Sequence, residues 1–174
     1  MSTPINRRTE AVVIAARERA GDGGNARYAK KRILVVDDDP SVRGMLARVL
    51  VGESYLVWSA GNGAEALEIA AGVPIDLVLL DLNMPVKNGW DTFEQLSREH
   101  PLIPVIIATA RPNQLFTALG AGVGALLEKP MDITTLLRTM KELLVETADQ
   151  RLARLAGRRT EFHYQPATAL QQHV

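Results

Sequence analysis

Residues 32–40 read RILVVDDDP, and this stretch decides the fold. Four apolar residues, Ile33 to Val36, run straight into Asp37, Asp38 and Asp39, and then into Pro40. A continuous β-branched and leucine run of this length predicts a strand buried on both faces. Acids at the end of such a strand do not serve a core. Adjacent like charges repel, and a bound cation is the commonest reason to gather them. Pro40 suits the first position of a helix, with Asp39 before it as the N-cap. The unit is therefore strand, acidic turn, helix, with the acids at the carboxyl end of the strand. In open parallel α/β sheets that edge binds ligands.

The same alternation repeats along the chain. Residues 41–51 predict a helix, with Val42, Leu46, Val49 and Leu50 on one side and Gly52 at its end. A short strand follows over 55–59, then Gly61-Asn62-Gly63 turn chemistry and an alanine-rich helix closed by Gly72. IDLVLL at 75–80 is a second buried run, and it too ends on an acid, Asp81. After a loop with Pro85 and Asn88-Gly89, Trp90, Phe93 and Leu96 give the core stripe of a third helix. PVIIA at 104–108 is a strand ending on Thr109, and residues 112–119 predict a short fourth helix. Residues 125–128 form a fifth strand ending on Lys129-Pro130. Asp132 caps a last helix with Leu136, Leu137, Met140, Leu143 and Leu144 on its apolar side. Five strands alternating with five helices predict a doubly wound parallel sheet with right-handed crossovers.

Composition narrows the function classes. The chain has 174 residues, 47% hydrophobic and 23% charged, which fits one globular domain with extensions. Lys+Arg and Asp+Glu are both 20, so no global charge argues for nucleic acid or an anionic membrane surface. The absence of cysteine excludes disulfides, thiol catalysis and Cys-based zinc sites, and is compatible with the cytoplasm. No apolar run approaches the roughly 18 residues that span a bilayer. AVVIAA near the amino end is broken by Arg17 and Glu18, too short and too polar for a signal peptide.

Read together, the strand ends describe a site. Asp37 and Asp38, Asp81, Thr109 and Lys129 all fall on one edge of a parallel sheet. Taken alone, Asp39 is a helix cap, Thr109 a core-strand threonine and Lys129 a solvated lysine. Jointly they give three carboxylates, a hydroxyl and an ammonium converging on one shallow cleft. Hard oxygen ligands suit Mg²⁺, which takes one or two carboxylates plus a phosphate oxygen. A lysine and a hydroxyl opposite suit phosphoryl oxygens. The set describes phosphoryl chemistry with a carboxylate nucleophile, a metal and a cation that holds the transferred group. His100, His163 and His173 are scattered and are assigned no role.

These residues carry a family resemblance. VVDD at 35–38, DLNMPVKNG at 81–89, Thr109-Ala110, Ala121-Gly122 and Lys129-Pro130 stand in order at strand ends. Over residues 31–146 the chain resembles the receiver domain of bacterial two-component response regulators. The resemblance implies a flavodoxin-like (βα)5 sheet of strand order 2-1-3-4-5. It also implies that Asp81 accepts a phosphoryl group from a histidine kinase or phosphotransfer protein. Asp38, Asp81 and the Asn83 carbonyl would coordinate Mg²⁺, with Asp37 assisting through water. Lys129, the Thr109 hydroxyl and the Ala110 N–H would hold the phosphoryl oxygens. The Lys129–Pro130 bond is often cis in such domains. A self-catalysed phosphoacceptor of this kind is not an enzyme, and it signals through a changed face around the fourth helix, fifth strand and fifth helix.

Two departures fall on that face. The switch position three residues before Lys129, usually aromatic, is Leu126, and the segment between Thr109 and Lys129 is shorter than the family's. Asn83 and Arg111 stand where the family tunes dephosphorylation. The chain divides into an extension over 1–31, with a short helix over 9–20 and a glycine-rich linker, a receiver over 32–147, and a tail over 148–174. In the tail the last helix is expected to run on to Gly157 with Arg151 and Arg154 outside, followed by polar residues. The four arginines of the tail, Arg151, Arg154, Arg158 and Arg159, read as solvated helix ends rather than a nucleic-acid contact, and an extended helix offers a dimer contact. The tail is too short for an output domain, which predicts a stand-alone regulator acting on a downstream protein. Two alternatives remain open: a receiver-like scaffold working without phosphorylation, and a phosphatase of the haloacid-dehalogenase class with Asp37 as nucleophile and Asp39 as acid.

Overall fold

The 32–36 run becomes β1 (Arg32–Val36), an inner strand of a six-stranded sheet. The computed structural model describes residues 30–84, 88–158 and 161–167. The helix expected over 9–20 lies outside them. After β1 the elements are α1 (Pro40–Gly52), β2 (Leu56–Ala60), α2 (Gly63–Gly72), β3 (Leu77–Asp81), α3 (Gly89–Glu99), β4 (Val105–Thr109), α4 (Leu115–Ala121), β5 (Ala125–Glu128), α5 (Ile133–Leu144), α6 (Ala148–Leu155) and β6 (His163–Gln165). The sheet order is β2-β1-β3-β4-β5-β6, and every pairing is parallel.

Alternating residues of the inner strands feed two cores. Leu34 and Val36 of β1 pack with Ala66 and Ala70 of α2, Phe93 and Leu96 of α3, and Ala118 of α4. Ile33 and Val35 pack on the other side with Leu46 and Leu50 of α1 and Leu136, Met140 and Leu143 of α5. Both faces are therefore dry, which is why the strand reads as a continuous apolar run with no polar alternation. Truncating any of these leucines to alanine removes contacts worth about 2–5 kcal/mol.

Register then fixes the functional edge. Val36 pairs with Leu80, so the residues after them, Asp37 and Asp81, come side by side. Thr109 pairs with Glu128, which brings Lys129 just beyond Thr109. Helix starts follow the expected caps. The Asp39 carboxylate accepts from the N–H groups of Ser41 and Val42, and Asp132 accepts from Thr135 N–H.

Three expectations are corrected. The (βα)5 sheet of order 2-1-3-4-5 gains a sixth strand, β6, which pairs Ala125 with His163, Leu126 with Tyr164 and Leu127 with Gln165. HYQ carries no period-2 apolar signal; it is a strand because β5 would otherwise leave its backbone groups unpaired at an edge. The fourth helix starts at Leu115 rather than at 112, because Asn113 takes a left-handed φ of 60° that a helix does not continue. The last helix does not run on to Gly157. α5 stops at Leu144, and Thr147 opens α6 with a capping box to Gln150.

That new start rotates the tail. Arg151 and Arg154 are buried, whereas Leu152 is 46% exposed. Arg151 donates from Nε to Pro101 O at 3.2 Å and from Nη1 to Gly122 O at 3.0 Å. Burial, and then Arg154 beside it, pull the Arg151 guanidinium down to about 10. Arg154 forks onto Glu146, with Nη1–Oε1 and Nη2–Oε2 both at 2.6 Å. Gly122, at φ 74°, lies under α6; a Cβ there would sit 2.9 Å from Arg154 O and from Leu155 Cα. Gly122 therefore serves two needs, a left-handed helix end and close approach of another helix.

Candidate functional site

Asp37, at the end of β1, and Asp81, at the end of β3, are both more than nine-tenths buried, although carboxylates are normally exposed. Each has one oxygen held by backbone and one by the same lysine. Asp37 Oδ1 accepts from Asp39 N–H at 2.9 Å, and Asp81 Oδ1 accepts from Asn83 N–H at 3.1 Å. Lys129 Nζ spans the two remaining oxygens, 2.6 Å from Asp37 Oδ2 and 3.1 Å from Asp81 Oδ2. Burial draws the Lys129 ammonium down, but its Asp37 hydrogen bond and the Asp81 charge more than offset this and hold it above the ordinary lysine value.

Asp38 joins the cluster from the exposed side, and oxygens of Asp37, Asp38 and Asp81 lie within 4.8 Å of one another. Asp38 makes no ion pair among the described residues. Three carboxylates therefore face one ammonium, and the cluster carries unbalanced negative charge. This donor set, all hard oxygen, fits a divalent cation such as Mg²⁺.

The rest of the edge closes around these groups. Thr109 is buried, and its Oγ1 accepts from Arg111 N–H at 3.0 Å. Its carbonyl accepts from Lys129 N–H at 2.8 Å. Arg111 Nε donates to Asn83 Oδ1 at 2.6 Å, tying the loop after β4 to the loop after β3. Ala110 is exposed between Thr109 and Arg111. The Lys129–Pro130 peptide is cis. Leu126 is fully buried among the α4-side core residues.

All the site residues expected from sequence lie along this edge, except that Leu126 lies inside the sheet. Two contributors carry no sequence signal of their own. Arg43 of α1 donates Nη1 to Asp37 O at 2.6 Å, holding the acidic turn in place. Gly89, quoted above as part of a motif, has a steric reason: a Cβ there would sit 2.5 Å from Asp81 O and 2.6 Å from Leu82 Cα. The start of α3 thus rests directly on the backbone that carries Asp81, and Asn88 Oδ1 caps that helix by accepting from Trp90 N–H at 2.7 Å.

Comparison with known proteins agrees with this geometry. Residues 33–141 match the family described as the response regulator receiver domain. Response regulator MprA of Mycobacterium sp. (strain KMS) is 39% identical over 119 residues, covering 67% of this chain and 52% of the relative. The DNA-binding transcriptional regulator NtrC of Escherichia coli (strain K12) is 35% identical over 125 residues, covering 70% of this chain and 26% of that protein. The chain thus spans from about a quarter to about half the length of these curated relatives. Among solved structures, a CheY-like receiver domain protein from Methanospirillum hungatei JF-1 superposes with TM-score 0.64 at 29% identity, over 71% of this chain and 98% of that one. Response regulator protein TrrA from Thermotoga maritima, in complex with Mg(2+)-BeF, gives TM-score 0.61 at 31% identity, over 65% of this chain and 98% of that one.

Proposed function

The chain belongs to the response regulator receiver domain family, and from that premise we propose that Asp81 is its phosphoacceptor in a Mg²⁺-dependent signalling reaction. One observation carries the reading: Lys129 Nζ bridges Asp37 and Asp81 inside a cluster of three carboxylates. A carboxylate oxygen of Asp81 attacks the phosphorus of a phosphohistidine on a kinase or phosphotransfer protein. The P–O bond forms as the P–N bond breaks, and the imidazole nitrogen keeps the electron pair and takes up a proton. Asp38, Asp81 and the Asn83 carbonyl, with Asp37 through water, would hold the Mg²⁺, whose charge offsets that of the incoming phosphoryl group. Lys129 exchanges a carboxylate partner for a phosphoryl oxygen, and the Thr109 hydroxyl and Ala110 N–H take the others.

Family membership decides against the haloacid-dehalogenase alternative with Asp37 as nucleophile. The phosphorylated domain then acts by protein–protein contact. The scaffold reading, which needs no phosphoryl group, keeps one supporting observation: Leu126 is fully buried and offers no aromatic side chain to swing. No described helix is long and apolar enough to cross a membrane.

Intact mass after incubation with Mg²⁺ and acetyl phosphate tests the proposal. Wild type gains one phosphoryl group, and Asp81→Asn gains none. Adduct on both proteins would overturn Asp81 as acceptor, and adduct on neither, with Mg²⁺ failing to bind, would favour the scaffold.

A further inference from the structure

Glu128 is the last residue of β5, and it stands between the two residues assigned to the phosphoryl oxygens. Thr109 is its register partner on β4, and Lys129 follows it in the chain. The Lys129 N–H also donates to Thr109 O, so the three backbones are joined at the sheet edge. On the other flank of β5, the same Glu128 holds the tail. Tyr164 Oη donates to Glu128 Oε1 at 3.0 Å, and Ala167 N–H donates to Glu128 Oε2 at 3.2 Å. One carboxylate thus touches the tail with both its oxygens while its backbone belongs to the phosphoryl-binding corner.

The strand it holds is lightly fixed. β6 has three residues, and its ladder to β5 is its sheet pairing. Beneath it, an open cleft of about 770 Å³ runs between α5, α6 and β6, lined by Glu142, Glu146, Arg154 and His163. Across that cleft His163 Nδ1 reaches Glu142 Oε2 at 3.3 Å. α6 by contrast is pinned by buried Arg151 and by the Arg154–Glu146 fork. Besides its ladder, β6 is held by the Glu128 carboxylate, by the His163–Glu142 contact and by Phe162 against the core. A three-residue strand beside an open cleft, held in this way, belongs to the low-stability part of a fold, where small free energies decide occupancy.

We propose that β6 is a strap coupled to the phosphoryl site through Glu128, seated on the β5 edge when Asp81 is free and loosened when it is phosphorylated. The proposal rests on Asp81 being the acceptor. With Asp81 free, Lys129 is stretched between Asp37 and Asp81. A phosphoryl group draws Lys129 and Thr109 toward its oxygens. Glu128, bracketed by both, is carried with them and away from Tyr164 and Ala167. What loosens is the edge of β5, which then regains unpaired N–H and C=O groups that an extended segment of a partner protein can use. β6 is thus the intramolecular occupant that such a partner replaces.

Hydrogen exchange on the full chain tests this, read with and without saturating Mg²⁺ and beryllofluoride as the phosphoryl mimic. Peptides over 105–111 report whether the site is filled, and peptides over 161–167 report the strap. The expected result is slower exchange in the first and roughly threefold faster exchange in the second. Coupling is reciprocal. Tyr164→Phe, at a half-exposed position, should therefore loosen the strap without ligand and bind beryllofluoride roughly threefold more tightly. Protection at 105–111 with 161–167 unchanged or slowed would overturn the strap and leave the acceptor role standing. No change in either segment would overturn both. A Tyr164→Phe protein with a loosened strap and unchanged beryllofluoride affinity would also overturn the coupling.

Discussion

β1 and β3 are neighbours along their whole length, yet the two ends of that pair are built on opposite charge rules. At the amino end, Asp76 faces Arg32 and Lys31. Its Oδ2 accepts from Arg32 N–H at 2.7 Å and Nε at 2.9 Å, and Lys31 Nζ lies 3.8 Å from Oδ1. One carboxylate there has two cations. Burial works to raise the Asp76 carboxyl, but the Arg32 hydrogen bonds and charge hold it below the usual carboxylate range. At the carboxyl end, Asp37, Asp38 and Asp81 share one cation, Lys129. At the amino end the carboxylate is fully paired, which contributes stability and leaves it nothing to offer a ligand. The unbalanced end carries excess negative charge in the folded protein, a charge that fits a divalent cation.

Variants at the two ends should separate these roles, and the largest effect is expected where the unbalanced end meets backbone. Gly89→Ala would press a methyl group against Asp81 O and Leu82 Cα, atoms that cannot yield as a flexible side chain would. A loss of about 3 kcal/mol in denaturant unfolding, together with weakened Mg²⁺ binding, is expected. An unperturbed Gly89→Ala protein would mean that α3 does not fix Asp81. Next in size is Asp76→Asn, which removes a partly buried, charge-assisted pair and should cost about 1–2 kcal/mol at neutral pH.

That cost has a defined pH dependence. The folded-state value of Asp76 lies below its unfolded value, so its contribution is present above the ordinary carboxylate pKa and is lost as pH falls through the depressed one. The gap between wild type and Asp76→Asn should therefore close below about pH 4. A gap that persists unchanged in acid would contradict the pairing.

The smallest effect has the opposite sign. Asp38→Asn removes one exposed charge from a cluster of like charges, and should stabilise the metal-free protein by about 0.5 kcal/mol. In Mg²⁺ the order should invert, because wild type gains binding energy that the variant has weakened. Thermal melts of both proteins with Mg²⁺ and with chelator would show the crossing. If Asp38→Asn is destabilising in chelator, the two ends of the sheet do not differ in the way described.

Much of this site was legible in sequence because it is built from strand ends. A buried parallel strand announces itself by an unbroken apolar run, and the residue where the run stops lands on a known edge. Asp37, Asp81 and Thr109 each follow such a run and Lys129 comes directly after the last residue of β5, so their convergence could be read before any coordinates. Arg43 and Glu128 could not. Their contacts, with Asp37 O and with Tyr164 and Ala167, depend on which turn faces which strand, and neither residue type marks a site on its own.

The tail shows the same boundary from the other side. Leu152 and Leu155 extended the apolar period of the last helix, and the period pointed to one long helix with its arginines outside. Thr147 and Gln150 carried the contrary signal, a capping box, and it prevailed locally because it satisfies two helix-end N–H groups at once. Once α6 began afresh, Pro101 O and Gly122 O stood ready to accept from Arg151, and Glu146 from Arg154. The pull of hydrogen-bond acceptors on a buried guanidinium is a tertiary fact that no local period contains.

The family resemblance supplied the order of the first five strands; by itself the sequence determined the parallel α/β sheet and the edge on which three acids, a threonine and a lysine meet. Those follow from chain-local physics: apolar runs that must be buried, caps that start helices, and crossovers of one hand. Only the tertiary structure decided that Lys129 lies between Asp37 and Asp81, that both tail arginines are inside, and that His163–Gln165 closes the β5 edge. Each of these rests on groups far apart in the chain competing for the same partner, and their energies depend on distance and burial that appear only when the chain is folded.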